Sequence, residues 1–103
     1  MTKRDKTLER WLTAKEESFE TVHNVLLHEG FAVRSVKGSH TTYENGFLKK
    51  AYEADRNGLA EFGPDGLLTI PKLGGQKVKS FYLLLALKAI VLIRKAKEDA
   101  ENG

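Results

Sequence analysis

One stretch of this 103-residue chain sets a titratable ring beside a cation and several hydroxyls: Val36-Lys37-Gly38-Ser39-His40-Thr41-Thr42. Glycine takes positive φ at no steric cost, so Gly38 reads as the bend between two antiparallel strands. His40 then falls at the start of the outgoing strand, near two hydroxyls and a lysine. An imidazole titrates near pH ~6.5 and can take or give a proton at neutral pH. Next to a cation it suits work on a bound anion, although by spacing alone it also fits an ordinary surface histidine. Ser39 has no Asp-His-Ser constellation to activate it, so it reads as a turn hydroxyl. Arg34, Lys37, Lys72, Lys77 and Lys79 are cations that could hold phosphates without reading bases, in a salt-dependent way. Each of them equally fits a solvated loop.

Other chemistries are less well served. His23 and His28 lie five residues apart on one predicted helix, roughly 140° apart around its axis, and cannot share a metal. No other His, Asp and Glu cluster has a ligand spacing, so neither metal nor cofactor is expected. The sequence holds no cysteine, which excludes disulfides, thiolate sites and cysteine nucleophiles together. Gly74-Gly75 lacks the strand–GxGxxG–helix setting of a nucleotide loop. A formal net charge of +3 permits nucleic-acid binding without demanding it. With 41% apolar and 30% charged residues, residues 1–103 read as one soluble domain. Met1 to Lys6 is charged with no apolar stretch behind it, and the run Phe81 to Ile93 is broken by Lys88 and short of the ~20 residues that cross a bilayer. A cytoplasmic protein that does not enter a membrane is the expectation.

The elements that would position these residues follow from periodicity. Leu8, Trp11 and Leu12 predict a short amphipathic helix over Thr7 to Lys15. Ser18 is suited to cap a second helix, Phe19 to Glu29, with Glu20 in its first turn and Gly30 at C′. Trp11 and Phe19 read as core anchors, and His23 and His28 as solvated or capping side chains. Phe31 to Val36 alternates, with Phe31, Val33 and Val36 inward and Arg34 outward; Ser39 to Tyr43 returns as the second strand of a hairpin. Helical spacing recurs from Gly46 to Asn57, which reads as a short helix or a compact loop closed by Asn57-Gly58. Gly63-Pro64-Asp65-Gly66 signals a turn into a third strand, Leu67 to Pro71. Lys72 to Lys79 reads as a flexible basic loop, and Ser80 as the cap of a last helix from Phe81 to about Ala100. The first half of that helix is apolar nearly all round, so a second copy of the chain or a partner protein is expected to cover Phe81 to Ile93. The charged end, Arg94 to Gly103, is expected to fray. The order helix, strand, strand, strand, helix predicts an α+β two-layer sandwich: a three-stranded antiparallel sheet with helices on one face, as in double-stranded-RNA-binding domains. To this are added an extra N-terminal helix and an insertion before the third strand.

Four motifs in order carry a more specific likeness. Leu27-His28-Glu29-Gly30-Phe31, Val36-Lys37-Gly38-Ser39-His40, Leu68-Thr69-Ile70-Pro71 and Gly75-Gln76-Lys77-Val78-Lys79 together resemble the HicA family of mRNA-interferase toxins. The likeness runs from about Phe19 to Ile90, interrupted by Gly46 to Asp65. It implies that His40 matches the family's catalytic histidine and that Lys37, Gly38 and Ser39 present it. It also implies mRNA as substrate and a HicB-type antitoxin as partner, covering the active face. Three features depart from the family pattern. Thr41 follows the histidine, the chain carries the extra helix and insertion, and the last helix opens with Tyr82-Leu83-Leu84 where an arginine is usual. A metal-independent endoribonuclease is the function this implies, and a catalytically silent RNA-binding or partner-binding module of the same fold is the alternative. One imidazole cannot be base and acid at once, so Lys37, Tyr43 or water must supply the second role.

Overall fold

In the computed structural model, which describes residues 3–102, the chain is an α+β protein with four helices and two small sheets. It runs α1 (Lys3–Trp11), β1 (Glu16–Ser18), α2 (Phe19–His28), β2 (Ala32–Lys37), β3 (His40–Glu44), α3 (Gly46–Ala54), a 3₁₀ turn (Ala60–Phe62), β4 (Leu67–Pro71), β5 (Lys77–Lys79) and α4 (Ser80–Asn102). Capping chemistry explains several of these boundaries. Ser18 is extended, and its hydroxyl accepts the Thr21 N–H at 3.2 Å, which starts α2. Asn45 does the same for α3 through the Phe47 N–H at 2.8 Å. Its amide also donates to the Gly30 carbonyl at 3.1 Å, so this buried side chain ties the start of α3 to the end of α2. Gly38, at φ +57°, and Ser39 form the two-residue bend between β2 and β3.

The three-stranded sheet has the order β2-β3-β4, antiparallel throughout. One face is buried. Thr41 and Tyr43 of β3 and Leu68 and Ile70 of β4 meet Leu26 of α2 and Leu83 and Ile90 of α4 there. Trp11 carries α1 into the same core. Gly66 leads into β4 with φ +65°, and a Cβ on it would lie 2.3 Å from the Lys49 amide nitrogen, so only glycine lets this turn pass α3. A buried carboxylate fixes the helices. Glu29, its side chain 4% exposed, meets Arg94 through Nε at 2.7 Å and Nη2 at 2.8 Å and Arg4 through Nε at 2.8 Å. Burial of that charge is supportable because two guanidinium groups answer it.

Several expectations change. The first helix is Lys3–Trp11 and not Thr7 to Lys15; residues 12–15 form a turn, with the Thr13 and Ala14 N–H groups donating to the Arg10 carbonyl, that leads into β1. Lys72 to Lys79 is not a flexible loop. It closes a tight bend and returns as β5, which pairs antiparallel with β1 to make a two-stranded sheet. The third helix stops at Ala54, where Asp55 turns the chain by accepting the Gly58 N–H at 3.1 Å. Residues 94–102 do not fray: α4 runs to Asn102, and Lys97 donates to the Glu29 carbonyl at 3.2 Å. Val33 and Val36 are not inward core residues but are 42% and 60% exposed. They lie on the edge strand, beside a bulge between Val33 and Ser35, beyond the cover of the helices. Of the apolar run in α4, Leu83, Ala86, Ala89, Ile90 and Ile93 are buried, while Phe81, Leu84 and Val91 remain exposed. Among the described residues no helix is long and apolar enough to cross a membrane.

Candidate functional site

Side chains alternate across a strand, so β3 divides its residues between two environments. Thr41 and Tyr43 enter the core, and His40, Thr42 and Glu44 project onto the face that, among the described residues, no helix covers. The register builds that open face in rows: Lys37, His40 and Pro71; then Ser35, Thr42 and Thr69; then Ala32, Glu44 and Leu67. The Thr42 and Thr69 hydroxyls are 2.9 Å apart and join the middle row. Glu44 holds Arg34 at 3.4 Å. Ser35, Lys37, His40, Thr42, Glu44 and Thr69 make most of this face polar, with Ala32 and Leu67 at one end and the buried Pro71 in the row of His40.

His40 stands in the first row, exposed, directly across the bend from Lys37. Side chains opposed in this way have Cβ atoms roughly 4.5–5.5 Å apart, within reach of one bound phosphate. The Ser39 hydroxyl lies 3.4 Å from His40 Nδ1, a loose contact. The Ser39 carbonyl accepts the Lys72 N–H at 2.8 Å, which docks the chain after β4 onto the bend. Lys72 extends toward α2, with its ammonium 4.7 Å above the Phe19 ring.

The other predicted cations are elsewhere. Lys77 is half-buried on β5, and Lys79 is held by Glu16 at 3.0 Å, an ammonium that keeps the Glu16 carboxyl below its ordinary range. Arg34 is at the far end of the open face, since Glu44 lies four residues, about 13 Å, along β3 from His40. There it lines a cleft of about 420 Å³ with Glu44, Lys49 and Asp65. The structure thus gathers Lys37, Gly38, Ser39, His40 and the Lys72 backbone, sets Lys77 across a bridge from Leu73, and ties Arg34 and Lys79 to carboxylates of their own.

A second histidine has a defined place that spacing did not reveal. His23 Nδ1 lies 2.8 Å from the Tyr43 hydroxyl, and its ring stacks on Phe19 with centroids 5.7 Å apart. His23 is therefore neither a solvated nor a capping side chain. Phe19 and His23, four apart on α2, form one aromatic ridge, which is the signal that could have located it. Tyr43 is fully buried, and burial pushes its hydroxyl pKa up to about 12. It lies on the opposite side of the sheet from His40 and cannot serve as the second acid or base. His28 is exposed. Among the described residues no group of three His, Cys, Asp or Glu side chains is placed to hold a metal ion.

No family model matches the chain, and comparisons with curated proteins and with solved structures return no match.

Proposed function

We propose that the open sheet face is an RNA-binding surface and that His40 makes it a metal-independent endoribonuclease of the HicA type, acting on mRNA and silenced by a HicB-type antitoxin. The observation that carries this reading is the exposed pairing of His40 with Lys37 at the hairpin bend, on the largely polar open face of the sheet. In this mechanism His40 takes the proton from a ribose 2′-hydroxyl. The 2′ oxygen then attacks the adjacent phosphorus, and the bond to the 5′ oxygen breaks. The Lys37 ammonium stabilises the charge on the pentacoordinate phosphorus, and either it or water protonates the leaving 5′ oxygen. Such proton transfer contributes about 10²–10⁴-fold. Positive charge placed where the phosphorane forms adds to it. The sandwich would present RNA as double-stranded-RNA-binding domains do, through shape and backbone. The antitoxin would cover the face carrying His40, in a cytoplasmic setting.

The substrate chemistry makes the test direct. In EDTA the chain should cut a single-stranded RNA to products ending in 2′,3′-cyclic phosphate and leave DNA of the same sequence intact. Equal cutting of both, or a strict need for a divalent ion, would overturn the mechanism. One observation favours a second reading, a silent binding module. Burial of Tyr43 leaves Lys37 and water alone for the second proton role. That reading expects RNA retention that falls steeply with salt and no products at all.

A further inference from the structure

Among the described residues β2 has β3 as its ladder partner on one side and no strand on the other. An edge strand presents a row of unpaired N–H and C=O groups, and proteins ordinarily blunt it with charge or a bulge. Here the bulge has a second effect. Val33 and Val36 are three apart, and a regular strand would send them to opposite faces. The irregularity between Val33 and Ser35 instead pairs Val33 with Tyr43 and Val36 with Thr41, two residues of the buried face. Both valines therefore point to the helix side of the sheet, but at its uncovered rim, 42% and 60% exposed.

We propose that β2 is the interface of a symmetric homodimer. Two copies pair antiparallel with Val33 opposite Val36 of the partner subunit, which merges the two three-stranded sheets into one of six. Symmetry and charge select both the occupant and the register. A two-fold axis between Arg34 and Ser35 sets Val33 against Val36 twice, giving two cross-strand pairs of β-branched side chains. The same register sets Lys37 against Ala32 and Arg34 against Ser35, so no like charges oppose. A slip of one residue in one direction brings Arg34 against Arg34. A slip in the other sets Val33 against Lys37 and Arg34 against Val36. Arg34 is in addition neutralised by Glu44 of its own chain. Pairing also removes the exposed apolar rim and satisfies the unpaired backbone groups. Both His40 faces stay open, on the same side of the extended sheet.

The absence of cysteine from the chain makes the register measurable. Opposed residues of an antiparallel pair have Cα atoms about 4.5–5.5 Å apart, inside disulfide range. In this register Val33 and its own symmetry mate are displaced by three residues, about 10 Å along the strand, beyond that range. We expect an oxidised mixture of Val33→Cys and Val36→Cys chains to form the mixed disulfide dimer at least about tenfold more readily than either variant alone. Sedimentation of the full chain should show a concentration-dependent dimer whose dissociation constant rises about tenfold or more in Val36→Lys, with an unchanged circular dichroism spectrum. Three results would overturn the proposal: a monomer at every concentration, self-crosslinking of either variant as fast as the mixture, or a dimer that Val36→Lys leaves intact and Leu84→Glu on α4 removes.

Discussion

The two sides of β3 hold two histidines in opposite conditions. On the open side His40 is exposed, with a lysine as its cross-strand neighbour and a loosely held serine hydroxyl beside its ring. On the helix side His23 is wedged between the Phe19 ring and the buried Tyr43 hydroxyl. A ring free to meet solvent and a phosphate can exchange protons with a substrate. A ring fixed by stacking and a 2.8 Å hydrogen bond instead helps to set where α2 rests on the sheet. Residue type alone separates nothing here. The alternation of one five-residue strand leaves one side open to solvent and seals the other into the core.

Truncation should expose that division most strongly. Tyr43→Ala should cost about 3–5 kcal/mol and leave little folded protein, whereas Thr42→Ala, one residue away on the open side, should cost about 1 kcal/mol or less. Denaturant midpoints for the two variants measure the contrast, and comparable losses would erase it. A finer change on the same side is Tyr43→Phe, which removes only the hydroxyl. It should cost about 1 kcal/mol near neutral pH. It should also alter the alkaline limb, because the folded pKa of this tyrosine, about 12, stands above its ordinary value of 10.0. A group bound more tightly to its proton in the folded state stabilises below the unfolded pKa and loses that contribution as pH rises through the folded one. Stability of the native chain should therefore fall between pH 10 and about 12, and less steeply in Tyr43→Phe.

On the open side the expected changes are in binding. Lys37→Ala should weaken RNA retention for all sequences alike and reduce the slope of log affinity against log salt by about 1, with little change in melting temperature. An unchanged slope would remove Lys37 from phosphate contact. The smallest effect belongs to Glu16→Gln, which releases Lys79 from its carboxylate. Exposed pairs of this kind are worth roughly 0–1 kcal/mol, so the melting temperature should hardly move. A rise in RNA affinity would enlist Lys79 on the binding surface, and no rise would confine it to the β1–β5 pair.

Much of this arrangement was legible in the residues. Ser18 as a cap, Gly38 as a bend and Leu67 to Pro71 as a strand are local events, settled by a hydroxyl, a positive φ and a short apolar run. The features that escaped depend on residues far apart in the chain. β1 and β5 are three residues each, too short for a period, and the Lys79–Glu16 pair that joins them spans 63 positions. The charged end of α4 looked free to fray because its partners are Glu29 and Asp5, at the other end of the chain. Val33 and Val36 both turn to the helix side, through a bulge that composition does not show, but on an edge strand that leaves them exposed. At the candidate site the same rule holds. Lys37 and His40 came together through a two-residue turn, while the backbone link from Lys72 to Ser39 and the seat of His23 needed the fold.

Single-turnover cleavage of one RNA in EDTA by the native chain, His40→Ala and His23→Ala in parallel separates the two histidines. His40→Ala should lose about 10²-fold or more while His23→Ala keeps its rate at temperatures where it remains folded. His40→Ala cutting as fast as the native chain, or His23→Ala failing while fully folded, would contradict it.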